Sequence, residues 1–281
     1  MDFIWWDIPQ EHLDKLRGDR SVRLYRTPRR GFDYLAFNLQ RSPFNDPSFR
    51  TAVATLIDRE QIVKKALKGD AIPAYSVIPP HNTFWYNAGV RRAGKGLSCQ
   101  ERLREAKALL KGAGYSWSKG ALVLPTGRKM RPVEILTNCA GSKPCRLKAA
   151  LLIKRWLSEI GVSVIPKMRP LHDVLSLLRE NIFDMYILGW GHLSDDPGYL
   201  ETFFHSSEAR PAGKNYPRFR NARFDELADR ASGEMDLFKR KALVFEMQEL
   251  ITKELPYIPL YTCLLYTSPS PRDLSPSRMP S

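Results

Sequence analysis

The stretch between residues 133 and 190 constrains the fold of this chain more than any other. It alternates short apolar, β-branched runs with amphipathic segments. Residues 133–137 read as a strand, and 146–160 as a helix with Ala149, Leu152, Ile153, Trp156 and Ile160 on one face. Residues 162–165 then read as a strand, 171–179 as a helix and 183–190 as a strand, with Gly161 suited to stop the first helix. Strands and helices that alternate through such short joints imply an α/β layered domain.

The flanks extend this pattern. Upstream, residues 2–6 read as a strand, 10–17 as a short amphipathic helix, 22–25 as a strand and 34–39 as an extended run. Asp46 before Pro47 is a helix start, because the carboxylate caps free amides and proline suits the first helical position. Phe49, Val53, Leu56 and Ile57 give that helix one apolar face. Pro73, Pro79 and Pro80 mark an extended passage to about Gly96. Ser98-Cys99-Gln100-Glu101 is a capping box opening a helix through Leu103, Ala106, Leu109 and Leu110, closed by Gly112 or Gly114. Downstream, two helices are expected at 221–231 and 236–253, the second with Leu243, Met247, Leu250 and Ile251 on one side. Residues 268–281 are almost entirely Ser, Pro and Arg, a composition that cannot build a core.

Composition narrows the function classes. Apolar residues make up 43% of the chain, which is globular rather than disordered, and no apolar run reaches the length of a membrane span. The start, Met1-Asp2 followed by strand-like residues, lacks the basic, apolar and small-residue pattern of a secretory signal. Either the protein is cytoplasmic or its true N-terminus is missing. The net charge of +14 raises the question of a polyanion partner, but the basic residues are scattered and no nucleic-acid module accompanies them. Four cysteines are too few for a disulfide scaffold. Cys139 and Cys145 flank a Gly-Ser-Lys-Pro turn, either as a bridge in an oxidising compartment or as two free thiols. A zinc site there needs two further ligands that the sequence does not place.

Several stretches, in order, resemble the extracellular solute-binding proteins of family 5, the oligopeptide, dipeptide and nickel receptors of ABC importers. They are Tyr34-Leu35-Ala36-Phe37-Asn38, Pro43-Phe44-Asn45-Asp46, Arg50-Thr51-Ala52 with Ile57-Asp58-Arg59, and Gly69-Asp70-Ala71 leading to Ile78-Pro79-Pro80. Ala106 to Gly114-Tyr115, Phe183-Asp184-Met185 to Gly189-Trp190 with Asp196-Pro197, Asn215-Tyr216 with Phe224-Asp225, and the run from Pro256 to Tyr261 complete the set. The resemblance implies a type II, cluster C periplasmic-binding-protein lobe: a mixed sheet flanked by helices, part of a two-lobed receptor that closes on its solute. Residues 1–34 would be a remnant of the first lobe and the hinge approach, and 35–262 the second, ligand-binding lobe. Residues 263–281 would be a disordered, non-native tail, since the string from Cys263 to Asp273 resembles sequencing-adapter read-through at a broken contig end.

The resemblance also implies a function: capture of a peptide or other small solute, delivery to an ABC permease, and a monomer in the periplasm or extracellular space whose signal peptide is missing from this fragment. No cofactor, metal or catalytic residue is expected. The candidate ligand residues follow the last strand. Trp190 is a rigid aromatic surface at its end, or else a core residue. His192 and Asp195 lie in the loop beyond, with His192 equally readable as a solvated loop residue. The peptide-binding members carry an aspartate three residues after the tryptophan to meet a peptide's amino terminus, and here that position is Leu193. Tyr34, Phe37 and Tyr261 sit at the hinge crossings, where they either line the cleft floor or simply pack. The alternatives are a metal-dependent hydrolase drawing on His192, Asp195 and His205 or on Cys139 and Cys145, and a basic nucleic-acid-binding domain. Neither shows a spacing that would carry it.

Overall fold

The computed structural model describes residues 25–138 and 145–267. The expected strand at 2–6, the helix at 10–17, most of the strand at 22–25, Cys139 and the tail from 268 lie outside the described residues.

Strand β2 (Phe32–Phe37) is the spine. It pairs antiparallel with β8 (Met185–Trp190) on one side and with β9 (Tyr257–Thr267) on the other. The seven-stranded sheet runs β1 (Tyr25–Pro28), β9, β2, β8, β6 (Val133–Asn138), β7 (Val164–Arg169), and β3 (Ala71–Pro73) also pairs with β9. β6 is parallel to both β7 and β8. The helices that make those parallel crossovers are α4 (Cys145–Ser158) and α5 (Leu171–Arg179), as the alternating pattern requires. The sheet is therefore mixed and flanked by helices.

Each face of the sheet buries its own core. Leu35, Phe37, Met185 and Ile187 face one helical layer: α1 (Pro47–Leu56), α2 (Arg59–Ala66), α3 (Cys99–Gly112) and α4. Phe32, Tyr34, Tyr186 and Leu188 alternate with them and face the second layer. That layer comprises α5, α6 (Tyr199–Phe204), α7 (Ala222–Gly233) and α8 (Leu237–Glu254). Period-two alternation with both faces apolar is what a strand buried on two sides needs, and β2 is buried at every position. A bulge sets the partner strand: Asp33 is opposite Tyr261 and Tyr34 opposite Pro259, so Leu260 is extra. That extra residue turns both Leu260 and Tyr261 toward the first core.

Local signals start the helices where expected. The Asp46 carboxylate accepts from Ser48 N at 2.8 Å, the Ser98–Glu101 capping box is complete, and Asp236 caps α8. Other features differ from the sequence reading. Helices α2 and α6 and the hairpin of β4 (Ser116–Ser118) and β5 (Ala121–Val123) were not expected, being short and stabilised by packing rather than by length. The expected boundary at 262/263 falls inside β9, which continues to Thr267 through pairing with β1 and β3. Two buried arginines staple the ends of elements. Arg50 donates to the carbonyls of Glu254 and Phe44 at 2.7 and 2.8 Å. Arg59 donates to that of Pro259 at 2.8 Å and lies 4.6 Å from the centre of the Tyr75 ring. Burial lowers both guanidinium pKa values to about 10, so both stay charged at neutral pH.

Asp184, just before β8, is the counter-ion at the opposite end of that strand from Trp190. Arg131 holds it bidentately, Arg41 approaches to 3.4 Å, and Glu134 N donates at 3.1 Å. Burial disfavours its charge, but the bonds from Arg131 and Glu134 N and the Arg131 and Arg41 charges outweigh it, so its pKa is lowered. The stabilisation is therefore present above the ordinary carboxyl value and is lost as pH falls through the lower native value. Asp184→Asn should cost roughly 2 kcal/mol near neutral pH. In urea titrations the gap from wild type should narrow as pH falls below the ordinary carboxyl range and the Asp184 charge is lost. A gap that persists unchanged at acid pH would refute the charge-based account.

Candidate functional site

The carboxyl ends of β6 and β8 and the start of β2 lie at one end of the sheet, where open α/β sheets place their ligand crevices. Trp190, the last residue of β8, is opposite Phe32. The turn before β2 reaches the chain after β8 closely. A Cβ on Gly31 would lie 1.9 Å from the Trp190 carbonyl oxygen, so only glycine fits. Beyond it, Leu193 N donates to the Arg30 carbonyl at 2.6 Å.

Asp195 ties a third segment to these two. Its carboxylate is 3.1 Å from Arg30 Nη1, its carbonyl accepts from Asn82 Nδ2 at 2.7 Å, and His81 Nε2 stands 3.9 Å from its carboxylate. Burial lowers the His81 pKa, with the Asp195 charge opposing and the Arg30 charge assisting, so the imidazole is neutral at pH 7. Asp196 is bound bidentately by Arg240 at 2.6 and 3.0 Å and accepts from Gly198 N at 2.8 Å. Both acids of the loop are thus paired with arginines.

Trp190 belongs to a ladder of nearly parallel rings. Its indole stacks on Phe203 with centroids 3.9 Å apart and planes 9° apart, and Tyr34 lies 6.4 Å away at 14°. Tyr34 in turn stacks on Tyr257 at 3.8 Å. Trp190 Nε1 and the hydroxyls of Tyr186 and Tyr257 are buried beside one another and within reach of Tyr34. Burial pushes the phenols of Tyr34, Tyr186 and Tyr257 above their ordinary value, so they stay neutral. The indole is half-buried: it rests on the core and keeps an accessible edge. It offers carbon, not its N–H, to anything outside.

The remaining sequence-picked residues separate. His192 and Asp195 are exposed on the loop, and Leu193 is folded into the second core at 8% exposure. Tyr34, Phe37 and Tyr261 do not line a floor in this structure but sit in the interior at 1%, 0% and 0% exposure, because helices cover both faces of β2. Phe37 packs on Phe44 with centroids 5.8 Å apart, and Tyr34 supports Trp190 from behind. Sequence reasoning missed Arg30, His81, Asn82 and Phe203, which come from three separate segments and carry no local signature. It also missed the pair Arg146 Nε–Asp33 at 2.5 Å, completed by an Arg146–Asn138 bond, at the same sheet end. Gly189 makes room for it, since a Cβ there would lie 2.6 Å from both partners. Cys145 is a largely buried thiol whose pKa is raised, by burial first.

Gly31→Ala drives a methyl into backbone rather than into a movable side chain, so it should destabilise the fold by about 2 kcal/mol or more. Gly189→Ala, which meets side-chain ends, should cost less. Chemical denaturation of the two variants checks the order, and equal costs would contradict it.

Among known proteins, the model of the bacterial extracellular solute-binding proteins, family 5 middle region, matches residues 2–211. The chain is 28% identical over 263 residues to a probable deoxycholate-binding periplasmic protein of Escherichia coli, covering 93% of this chain and 45% of the relative. It is 26% identical to heme-binding protein A of Haemophilus influenzae, covering 92% and 44%, and 27% identical to the periplasmic oligopeptide-binding protein of Escherichia coli, covering 90% and 44%. Among solved structures, the oligopeptide-binding protein of Bacillus subtilis with a nonapeptide superposes with a TM-score of 0.80 at 23% identity, covering 93% of this chain and 50% of that one. A nickel–histidine-bound protein of Campylobacter jejuni superposes at 0.79 and 21%, covering 93% and 51%. The chain spans about half the length of the relatives it matches.

Proposed function

The chain belongs to the bacterial extracellular solute-binding proteins of family 5, and we propose that it forms the larger ligand-closing lobe of a receptor that captures a small solute between two lobes and hands it to an ABC importer permease outside the cytoplasm. The observation that carries this reading is the loop after β8. Three segments meet there around one aromatic edge at the carboxyl ends of the strands, tied by Asp195 and by the Leu193 N–H bond to Arg30. Such a surface is one wall of a cleft. A solute stabilises the closed form only by touching this wall and its counterpart together. The role needs no reacting group, and the described residues hold no group of three His, Cys, Asp or Glu side chains placed to bind a metal.

The same loop bears on the class of solute. Leu193 occupies the position where peptide-binding members place an aspartate, and its side chain is buried. Asp195 and Asp196 are each held by an arginine, which leaves neither loop carboxylate unpaired for an ammonium group. The solute is therefore one held through its apolar body against the Trp190 edge, not a peptide gripped by a free amino terminus. Relatives named for deoxycholate and heme fit that preference as well as those named for peptides.

In a receptor rebuilt to the length of its relatives with a first lobe from one of them, a panel of bile acids, porphyrins and N-blocked peptides should include a solute that raises the Tm. No shift with any of them would contradict the reading. The wild-type receptor should show no preference for a free-amino tripeptide over its N-acetyl form, because both loop carboxylates are already paired with arginines. A wild-type receptor that already shows that preference would refute the solute class.

A further inference from the structure

The opposite end of the sheet carries a feature that solute capture does not use. Arg218 follows the segment that pairs back on the end of β2 through Leu39 N and the Pro217 carbonyl, about 17 Å along the strands from Trp190. It is 7% exposed, yet the bonds its guanidinium makes run to two carbonyls, those of Arg210 and, at 2.8 Å, Arg179. Its backbone is left-handed, with φ at 60°, a conformation unfavourable for a non-glycine residue. Arg220 donates to the Ala209 carbonyl at 3.5 Å. The two guanidinium groups are thus anchored on consecutive carbonyls, 209 and 210, which sets two like charges side by side. Burial and the neighbouring Arg220 charge lower the Arg218 pKa. Of the acids nearby in sequence, Asp225 is engaged by Ser206 N, Glu226 by Arg223 and Arg230, and Glu208 by Arg210 and Lys214 N.

A nearly buried cation in a strained backbone, beside a second cation and without a carboxylate, is costly unless an anion completes it. We propose that Arg218 and Arg220 form a binding site for a tetrahedral oxyanion of the phosphate or sulfate class, at the end of the sheet remote from the solute loop. The exposed Arg220 fork presents its remaining N–H donors to such oxygens and admits the ligand from solvent, while Arg218, held by its two carbonyl bonds, sets a fixed positive charge behind it. The site is independent of which solute the opposite end accepts.

Inorganic phosphate, compared with chloride at matched ionic strength, tests it on this chain directly. Phosphate well above its Kd should raise the Tm by about 3 °C or more. In Arg218→Gly/Arg220→Ala the phosphate-dependent rise should vanish whatever the Tm in chloride, since the variant loses the bonds to the Arg210 and Arg179 carbonyls along with the left-handed strain and the charge crowding. A control removing two charges elsewhere, Lys107→Ala/Lys111→Ala on α3, should keep the rise. An equal rise in all three proteins would show generic screening by a basic chain and overturn the site, as would no rise in the wild type. Vesicles of phosphatidylglycerol then distinguish sources. Binding that the double variant loses names a lipid headgroup, and phosphate stabilisation without vesicle binding names a free oxyanion.

Discussion

Everything in this domain hangs on the placement of β2 between β8 and β9. A six-residue strand with both neighbours antiparallel and both faces covered pairs along its whole length with β8 and over Asp33–Ala36 with β9, and its side chains alternate between two cores. Each core would be incomplete without it, since Leu35 and Phe37 fill one and Phe32 and Tyr34 the other. Register follows from this. A slip of one residue would exchange the two sets and drive Asp33 away from Arg146.

The candidate site is a consequence of that register. Because Phe32 is opposite Trp190, the turn at Gly31 arrives beside the end of β8, and the loop that follows is bonded to it before any solute appears. The ring ladder from Phe203 through Trp190 and Tyr34 to Tyr257 carries rigidity from the core to the surface. Binding to such a surface costs little ordering entropy, which is the advantage of a preformed wall.

Much of this architecture was legible in the sequence where the signals are local. The caps at Asp46, Ser98 and Asp236, the apolar stripes and the alternation between residues 133 and 190 depend on neighbours a few positions apart, and family 5 motifs ordered the pieces. What escaped depends on distant partners. Arg50 and Arg59 read as surface charges until their acceptors appear 204 and 200 residues away. The eleven residues of β9 carry two apolar motifs whose shared strand is created only by pairing with β1, β2 and β3. Trp190 was identified at the strand end, but the ring that covers its face, Phe203, lies on a helix too short to announce itself. Tyr34, Phe37 and Tyr261 could be read from the hinge crossings either as cleft floor or as packing, and only the covered sheet faces take them into the core.

Amide hydrogen exchange on the isolated chain tests the central claim, that the solute-facing loop is set by the fold in advance. The Leu193 amide, bonded to the Arg30 carbonyl, should exchange far more slowly than an unstructured amide, with β2 and β8 slower still. Exchange of Leu193 and its neighbours at the free-chain rate, while the strands remain protected, would mean that the loop takes shape only when something binds, and the preformed wall would have to be given up.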